Sequence, residues 1–162
     1  MNMRIQKDEF ENTVDQYSDI MLRCAYAYCG NYDDAEDIVQ EAFIKFLDRS
    51  PQFKDDQHKK AWLLRVVINL AKNRNKTFWN RNKTALDEKM PDDNDMLRKC
   101  EIWGAVNSLP PKYRIMIFLY YHEQYTIEEA AAMIGISKST AADRLKKARS
   151  LLKKIYEEDN QL

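Results

Sequence analysis

Glycine and proline are scarce in this chain, with three and four residues respectively out of 162. They act as punctuation. Gly30, Pro51, Pro91, the Pro110-Pro111 pair and Gly135 separate segments that otherwise carry helical periodicity. No run alternates apolar and polar residues, which excludes half-buried strands and predicts an all-α chain. Cysteine is as sparse: three residues, an odd number, which excludes a disulfide framework. Cys24 and Cys29 lie five apart with no histidine nearby, and the two histidines, His58 and His122, are isolated. Zinc needs four converging ligands, so no metal site is expected, and no cofactor. No activating base stands beside a cysteine to make it a nucleophile. Long apolar runs are missing too. The longest, Ile115 to Tyr121, is far too short to span a bilayer, and the N-terminal residues have no apolar core for a signal peptide. Direct membrane insertion is therefore not expected, and the expected location is the cytoplasm.

With 44% hydrophobic and 32% charged residues, the composition is that of a soluble globular protein of one domain or two small ones. Net charge is zero, but it is segregated. From Gln57 to Leu86 there are eight basic residues (Lys59, Lys60, Arg65, Lys72, Arg74, Lys76, Arg81 and Lys83) and no acidic one. From Lys138 to Lys154 there are seven basic residues and a single acid, Asp143. The compensating carboxylates gather at Asp33 to Asp48 and at Asp87 to Asp95. Such a pattern suggests two basic surfaces for phosphate and a separate acidic surface for another partner.

The most informative stretch is Thr126 to Ile155, where two helical patterns flank a short turn. Thr126 with Glu129 three residues later makes a capping box that starts a helix, and Gly135 ends it. Ser137 or Ser139 can cap the next helix, in which Ala141, Leu145, Ala148, Leu152 and Ile155 share one apolar face. Ala131 and Gly135 permit close packing across the turn, the arrangement that projects a second helix into a DNA major groove. Lys138, Lys146, Lys147, Arg149, Lys153 and Lys154 would then meet phosphates.

The acidic segment carries an amphipathic helix. Ala35, Ile38, Val39, Ala42, Phe43, Phe46 and Leu47 form an apolar stripe, leaving Glu36, Asp37, Gln40 and Glu41 to face water. No second carboxylate pair or histidine stands at helical spacing, so these acids are not expected to be catalytic. A third helix runs from about Lys60 to Lys76. Leu63, Val66, Val67 and Leu70 form its buried face, Arg65, Asn69, Lys72 and Lys76 line the opposite side with Asn73 beside them, and Trp62 lies at the edge. Cations for phosphate, amides for base edges and an aromatic for stacking suit unstacked bases.

Taken in order, Asp34-Ala-Glu-Asp-Ile-Val-Gln-Glu-Ala-Phe-Ile-Lys-Phe-Leu, Ala61-Trp-Leu-Leu-Arg-Val-Val-Ile-Asn-Leu-Ala-Lys-Asn, and Leu109-Pro-Pro-Lys-Tyr-Arg leading into the helix-turn-helix resemble the extracytoplasmic-function (group IV) sigma factors of the sigma-70 family. The resemblance runs from about Phe10 to Ile155. It implies two small helical domains joined by a flexible linker, the second a helix-turn-helix: residues 1–77 as region 2, 78–95 as linker and 96–162 as region 4. The segment Phe78 to Lys99 turns from basic to acidic and contains Pro91, as a linker would.

The resemblance also implies roles. The acidic helix looks like region 2.2, so Asp37, Gln40 and Glu41 would contact core RNA polymerase. The loop from Ser50 to Lys60 and the helix after it resemble the part that opens the minus-ten element and captures a flipped base. Phe53 and Trp62 would offer stacking surfaces there, Asn69 and Asn73 the polar contacts, and Arg65, Lys72 and Lys76 the phosphate contacts. The second basic helix resembles region 4.2, which reads the minus-thirty-five element, with Lys138, Ser139, Thr140, Asp143, Arg144, Lys146 and Lys147 as its DNA-binding residues. Here the sequence departs from the family's usual Gly-Thr-Val-(Lys/Arg)-Ser-Arg-Leu: a customary cation becomes Ala142 and the serine becomes Asp143. Aspartate can accept from cytosine N4 and repels phosphate, so the preferred sequence should differ from that of relatives carrying a cation. The expected partners are core RNA polymerase, promoter DNA and an anti-sigma factor. The alternatives are an autonomous helix-turn-helix regulator, which leaves the Asp34 to Leu47 motif unexplained, and a small helical enzyme using the acidic cluster.

The charge balance predicts weak binding of promoter DNA by the full-length chain alone, because zero net charge gives little long-range attraction. Residues 96–162, freed of the carboxylates that precede them, should bind duplex better in fluorescence anisotropy at one fixed salt concentration. Tight, sequence-specific binding by the free full-length chain would favour the autonomous regulator.

Overall fold

The computed structural model describes residues 4–78 and 101–160, with side chains for 4–74 and 104–158. All regular structure in these residues is helical: α1 (Lys7–Cys29), α2 (Tyr32–Arg49), α3 (Asp56–Phe78), α4 (Glu101–Asn107), α5 (Pro111–Ile117), α6 (Ile127–Ile134) and α7 (Lys138–Asn160). They belong to two compact units, the first built on α1 to α3 and the second on α4 to α7. Apart from Phe78, which ends α3, the linker expected at 78–95 lies outside the described residues, as do the domain start expected at residue 96 and the side chain of Lys76.

In the first unit the apolar stripe of α2 is core, with Ala35, Ile38, Ala42 and Phe46 fully buried. Leu47 is the exception at 40% exposed. At about 100° per residue, a position twelve after Ala35 stands roughly 120° away from it, whereas Phe46 at eleven is within about 20°. Phe10 of α1 meets Phe43 of α2 edge-on at 6.0 Å, and Phe46 of α2 meets Trp62 of α3 at 6.2 Å. Tyr17 of α1 donates its hydroxyl to the backbone carbonyl of Asp56 at 3.3 Å, tying α1 to the start of α3. Burial and the nearby Asp56 carboxylate push the Tyr17 phenol up, so it remains a neutral donor.

Helix α3 differs from the sequence expectation in two ways. It starts at Asp56 and not near Lys60, because Asp55 accepts from the backbone N–H of His58 at 2.8 Å and caps it. Its buried face is also wider. Leu64, Ile68 and Ala71 are fully buried along with Leu63 and Val67, while Val66 and Leu70 are nearly so. A helix with α1 and α2 both packed on it has little circumference left for water.

In the second unit, Pro111 occupies the first turn of α5, where its missing N–H costs nothing. Arg114 is buried, and its Nη1 donates to the carbonyl of Leu109 at 2.8 Å, which explains why the Leu-Pro-Pro-Lys-Tyr-Arg segment ends in a cation. Helix α5 runs on into a wider π turn, Phe118–His122. The expected capping box of α6 is present: Thr126 Oγ1 accepts from Glu129 N at 3.1 Å and Glu129 Oε2 from Thr126 N at 3.2 Å. Gly135 closes α6 at φ 83°, ψ 37°, a left-handed conformation that a Cβ disfavours, and its N–H reaches the Ala131 carbonyl at 2.8 Å. Of the two candidate caps for α7, Ser137 is the one used, accepting from Thr140 N at 3.1 Å. Ala141, Leu145 and Ala148 are buried, and α5 and α6, which pack on α7, bury Ile115, Met116 and Ile134 among other core side chains of this unit. Leu152 and Ile155, expected on that same face, are only half-buried.

The contrast between neighbouring apolar residues of α2 makes a test. Phe46→Ala should cost about 3–5 kcal/mol in denaturant unfolding, since it empties a fully buried site. Leu47→Ala should cost under ~1 kcal/mol. Equal losses would place Leu47 in the core.

Candidate functional site

Three surfaces carry the residues singled out by sequence. On α2, Asp37, Gln40 and Glu41 are exposed, as their spacing requires once the other face is core. Sequence reasoning missed what continues this face. Ile44 is 56% exposed and follows Gln40 by one turn, and Leu47 follows Ile44, so the acidic face ends in an apolar rim. It also missed Arg74, on α3. Its Nη1 lies 3.6 Å from Asp34 Oδ1 and 3.6 Å from Asp37 Oδ2, and its Nη2 is 3.9 Å from Glu41 Oε2. Sequence spacing gives no signal for this pairing, which depends on how α2 and α3 pack.

On α3, Arg65, Asn69 and Asn73 form one exposed stripe at steps of four, and Lys72 beside it is half-buried. Phe53 and Trp62 are less open than stacking platforms would be. Phe53 lies nearly parallel to the buried Phe46 at 6.4 Å, meets Trp62 at 5.8 Å and meets the His58 ring edge-on at 5.3 Å. Lys59 Nζ sits 5.4 Å from the Phe46 ring centroid. Both rings therefore brace the turn between α2 and α3 and leave only part of their area outward. That turn, in which Ser50 adopts φ 42°, borders an open cavity of about 520 Å³ whose lining includes Arg4, Gln6, Glu9, Phe53, Asp56 and Lys59.

On α7, Lys138, Ser139, Thr140, Asp143, Lys146 and Lys147 are exposed opposite the Ala141, Leu145, Ala148 face, while Arg144 and Ala142 are half-buried. Thr140 is partly committed to the helix start, where its hydroxyl accepts from Ser137 Oγ at 2.8 Å. Arg149, expected as a phosphate contact, is held instead by the π turn: its Nε donates to Tyr121 Oη at 2.5 Å and its guanidinium lies 5.6 Å from the Tyr120 and Tyr121 rings. The hydrogen bond to Tyr121 pushes its already high pKa up further. Among the described residues, no group of three or more His, Cys, Asp or Glu is placed to hold a metal ion, and no helix is long and apolar enough to cross a membrane.

An acidic helix face, an exposed amide-and-cation stripe and a basic helix-turn-helix occur in that order. Residues 13–80 match the family model for sigma-70 region 2, and residues 101–152 match that for sigma-70 region 4. The chain belongs to the sigma-70 family, as an extracytoplasmic-function sigma factor. This sigma factor is similar to the ECF RNA polymerase sigma factor SigE of Mycolicibacterium smegmatis, at 29% identity over 159 residues, covering 89% of this chain and 60% of that protein. It thus spans less than two thirds of that relative's length. It is also similar to the ECF RNA polymerase sigma factor SigW of Bacillus subtilis, at 26% identity over 166 residues and covering 91% of this chain and 89% of that protein. Its fold resembles that of the sigma factor RpoE of Bartonella quintana, solved with the anti-sigma factor NepR, with a TM-score of 0.69 at 22% identity over 93% of this chain and 98% of that one.

Proposed function

We propose that this sigma factor brings core RNA polymerase to a particular class of promoters through the three surfaces just described. Residues 1–77 act as the region 2 domain and residues 96–162 as the region 4 domain, with 78–95 joining them. Asp37, Gln40 and Glu41 dock α2 on core polymerase, with Ile44 and Leu47 adding apolar contact at the rim. Asn69 and Asn73 read exposed bases of the minus-ten element while Arg65, Lys72 and Lys76 hold phosphate, and Phe53 and Trp62 support the turn that receives a flipped base. Lys138, Ser139, Thr140, Asp143, Arg144, Lys146 and Lys147 meet the minus-thirty-five duplex, with Asp143 favouring a cytosine N4 donor. Binding energy from single-stranded bases drives opening, so the chain acts as a non-enzymatic initiation factor in the cytoplasm, where polymerase and promoters are found. An anti-sigma partner is part of this reading, supported by two solved relatives of similar fold: RpoE with NepR, and CnrH with the cytosolic domain of CnrY.

The observation that carries the reading is the exposed stripe of Arg65, Asn69 and Asn73 on α3, whose residues from Leu63 to Ala71 are buried except for Arg65 and Asn69. Amides and a cation kept at the surface there have no packing role, and they match the chemistry of single-stranded DNA. Reconstituted transcription tests it: this chain plus core polymerase should initiate from a linear promoter, whereas an autonomous regulator would need another sigma factor present.

Two sets of variants separate the roles. Ile44→Ser, or Asp37, Gln40 and Glu41 replaced by alanine, should leave helicity intact and weaken core binding by about tenfold or more in a titration. Unchanged affinity would remove α2 from the interface. Asn69→Ala and Asn73→Ala should reduce thymine reactivity to permanganate on a promoter that is still occupied, because amides act on bases and cations on phosphate. Normal melting by both variants would shift base reading to the Ser50 to Lys60 loop.

A further inference from the structure

We propose that Arg74 is shared between two surfaces of the first unit. In the free protein it screens the acidic face of α2, and when that face docks on a basic surface of polymerase the guanidinium is handed over to a phosphate of the promoter strand along α3. The proposal rests on the reading of α2 as the polymerase-docking face.

The contact geometry is that of an exchangeable pair. At 3.6, 3.6 and 3.9 Å, Arg74 is spread over Asp34, Asp37 and Glu41 and not clamped on one of them, since a close charge-assisted bond is about 2.7–2.9 Å. All four side chains remain accessible: 38% for Arg74 and 32%, 61% and 47% for the three acids. Exposed pairs of this kind exchange at little cost. One guanidinium against three carboxylates still leaves the face net negative, so it attracts a cationic partner. A lysine or arginine arriving at Asp37 and Glu41 would then compete with Arg74 for the same oxygens and repel it.

The released side chain has a second destination close by. Arg74 directly follows Asn73, the last described side chain of the exposed α3 stripe, and it lies on the same helix as Arg65 and Lys72. Its planar fork of donors fits a phosphate as well as a carboxylate. Because the same cation cannot serve both surfaces, polymerase binding and DNA binding would each favour the other, as linkage requires. The device would limit DNA binding by the free protein and lift that limit only in the holoenzyme.

The test uses full-length chain with Arg74→Gln, Arg74→Lys and Asp37→Lys. Arg74→Gln should bind core polymerase about two- to five-fold more tightly than the parent, because a competing intramolecular cation is gone. In the holoenzyme the same variant should bind promoter DNA more weakly, with the slope of log affinity against log salt reduced by about 1, the signature of one lost phosphate contact. Arg74→Lys should restore that slope. Unchanged or weaker core binding by Arg74→Gln would mean that Arg74 merely aligns the carboxylates, and an unchanged salt slope would mean that it never reaches DNA; either overturns the proposal. Asp37→Lys tells the two levels apart. If it weakens core binding while Arg74→Gln fails both tests, only the sharing of Arg74 falls. If it leaves core binding intact, the docking role of α2 falls as well.

Discussion

The packing of α3 against α1 and α2 is the constraint on which the first unit depends. Seven of its apolar side chains, from Leu63 to Ala71, are buried, and Phe46 from α2 is wedged into the aromatic group that closes its N-terminal end. Burying the middle of the helix on most sides in this way fixes its rotation about its own axis. Arg65, Asn69 and Asn73 are then held in one direction with no freedom to turn away. The same packing sets the opposite face of α2 outward, so that a single core orients both a polar stripe and an acidic face. A slip of either helix would disturb the two surfaces together.

The second unit solves a different problem, which is to hold two helices at a set angle across a three-residue turn. Here the backbone does most of the specifying. Thr126 and Glu129 satisfy the free N–H groups at the start of α6, Gly135 takes the left-handed conformation that ends it, and Ser137 caps α7. The burial of Ala141, Leu145 and Ala148 then fixes which side of α7 is presented outward. The π turn after α5 carries Tyr120 and Tyr121, which hold Arg149 against the second unit. Arg149 is thereby anchored within the second unit, whereas Lys138, Lys146 and Lys147 of the same helix stand exposed.

Charge is on balance zero, and it is segregated along the chain into acidic and basic segments. Acidic and basic faces meet in the first unit at Arg74, where one cation is set among three carboxylates. Interactions of this kind contribute little to stability at a solvated surface, and their value lies in specificity and in how easily they exchange.

The sequence by itself determined the helical class, the capping box and glycine stop of the helix-turn-helix, the apolar stripe of α2 and the exposure of Asp37, Gln40 and Glu41. All of these follow from local spacing, because a residue's direction on a helix depends only on its position in the period. Even there the period misleads at its edges: Leu47 drifted off the stripe into solvent, and the start of α3 moved to Asp56 because Asp55 captured the N–H of His58. What the tertiary structure alone decided are the contacts between elements distant in sequence. The enclosure of Phe53 and Trp62 around Phe46, the anchoring of Arg149 by two tyrosines and the screening of the acidic face by Arg74 join residues far apart in the chain. No periodicity links such residues, and only the packing of the helices sets the distances between them.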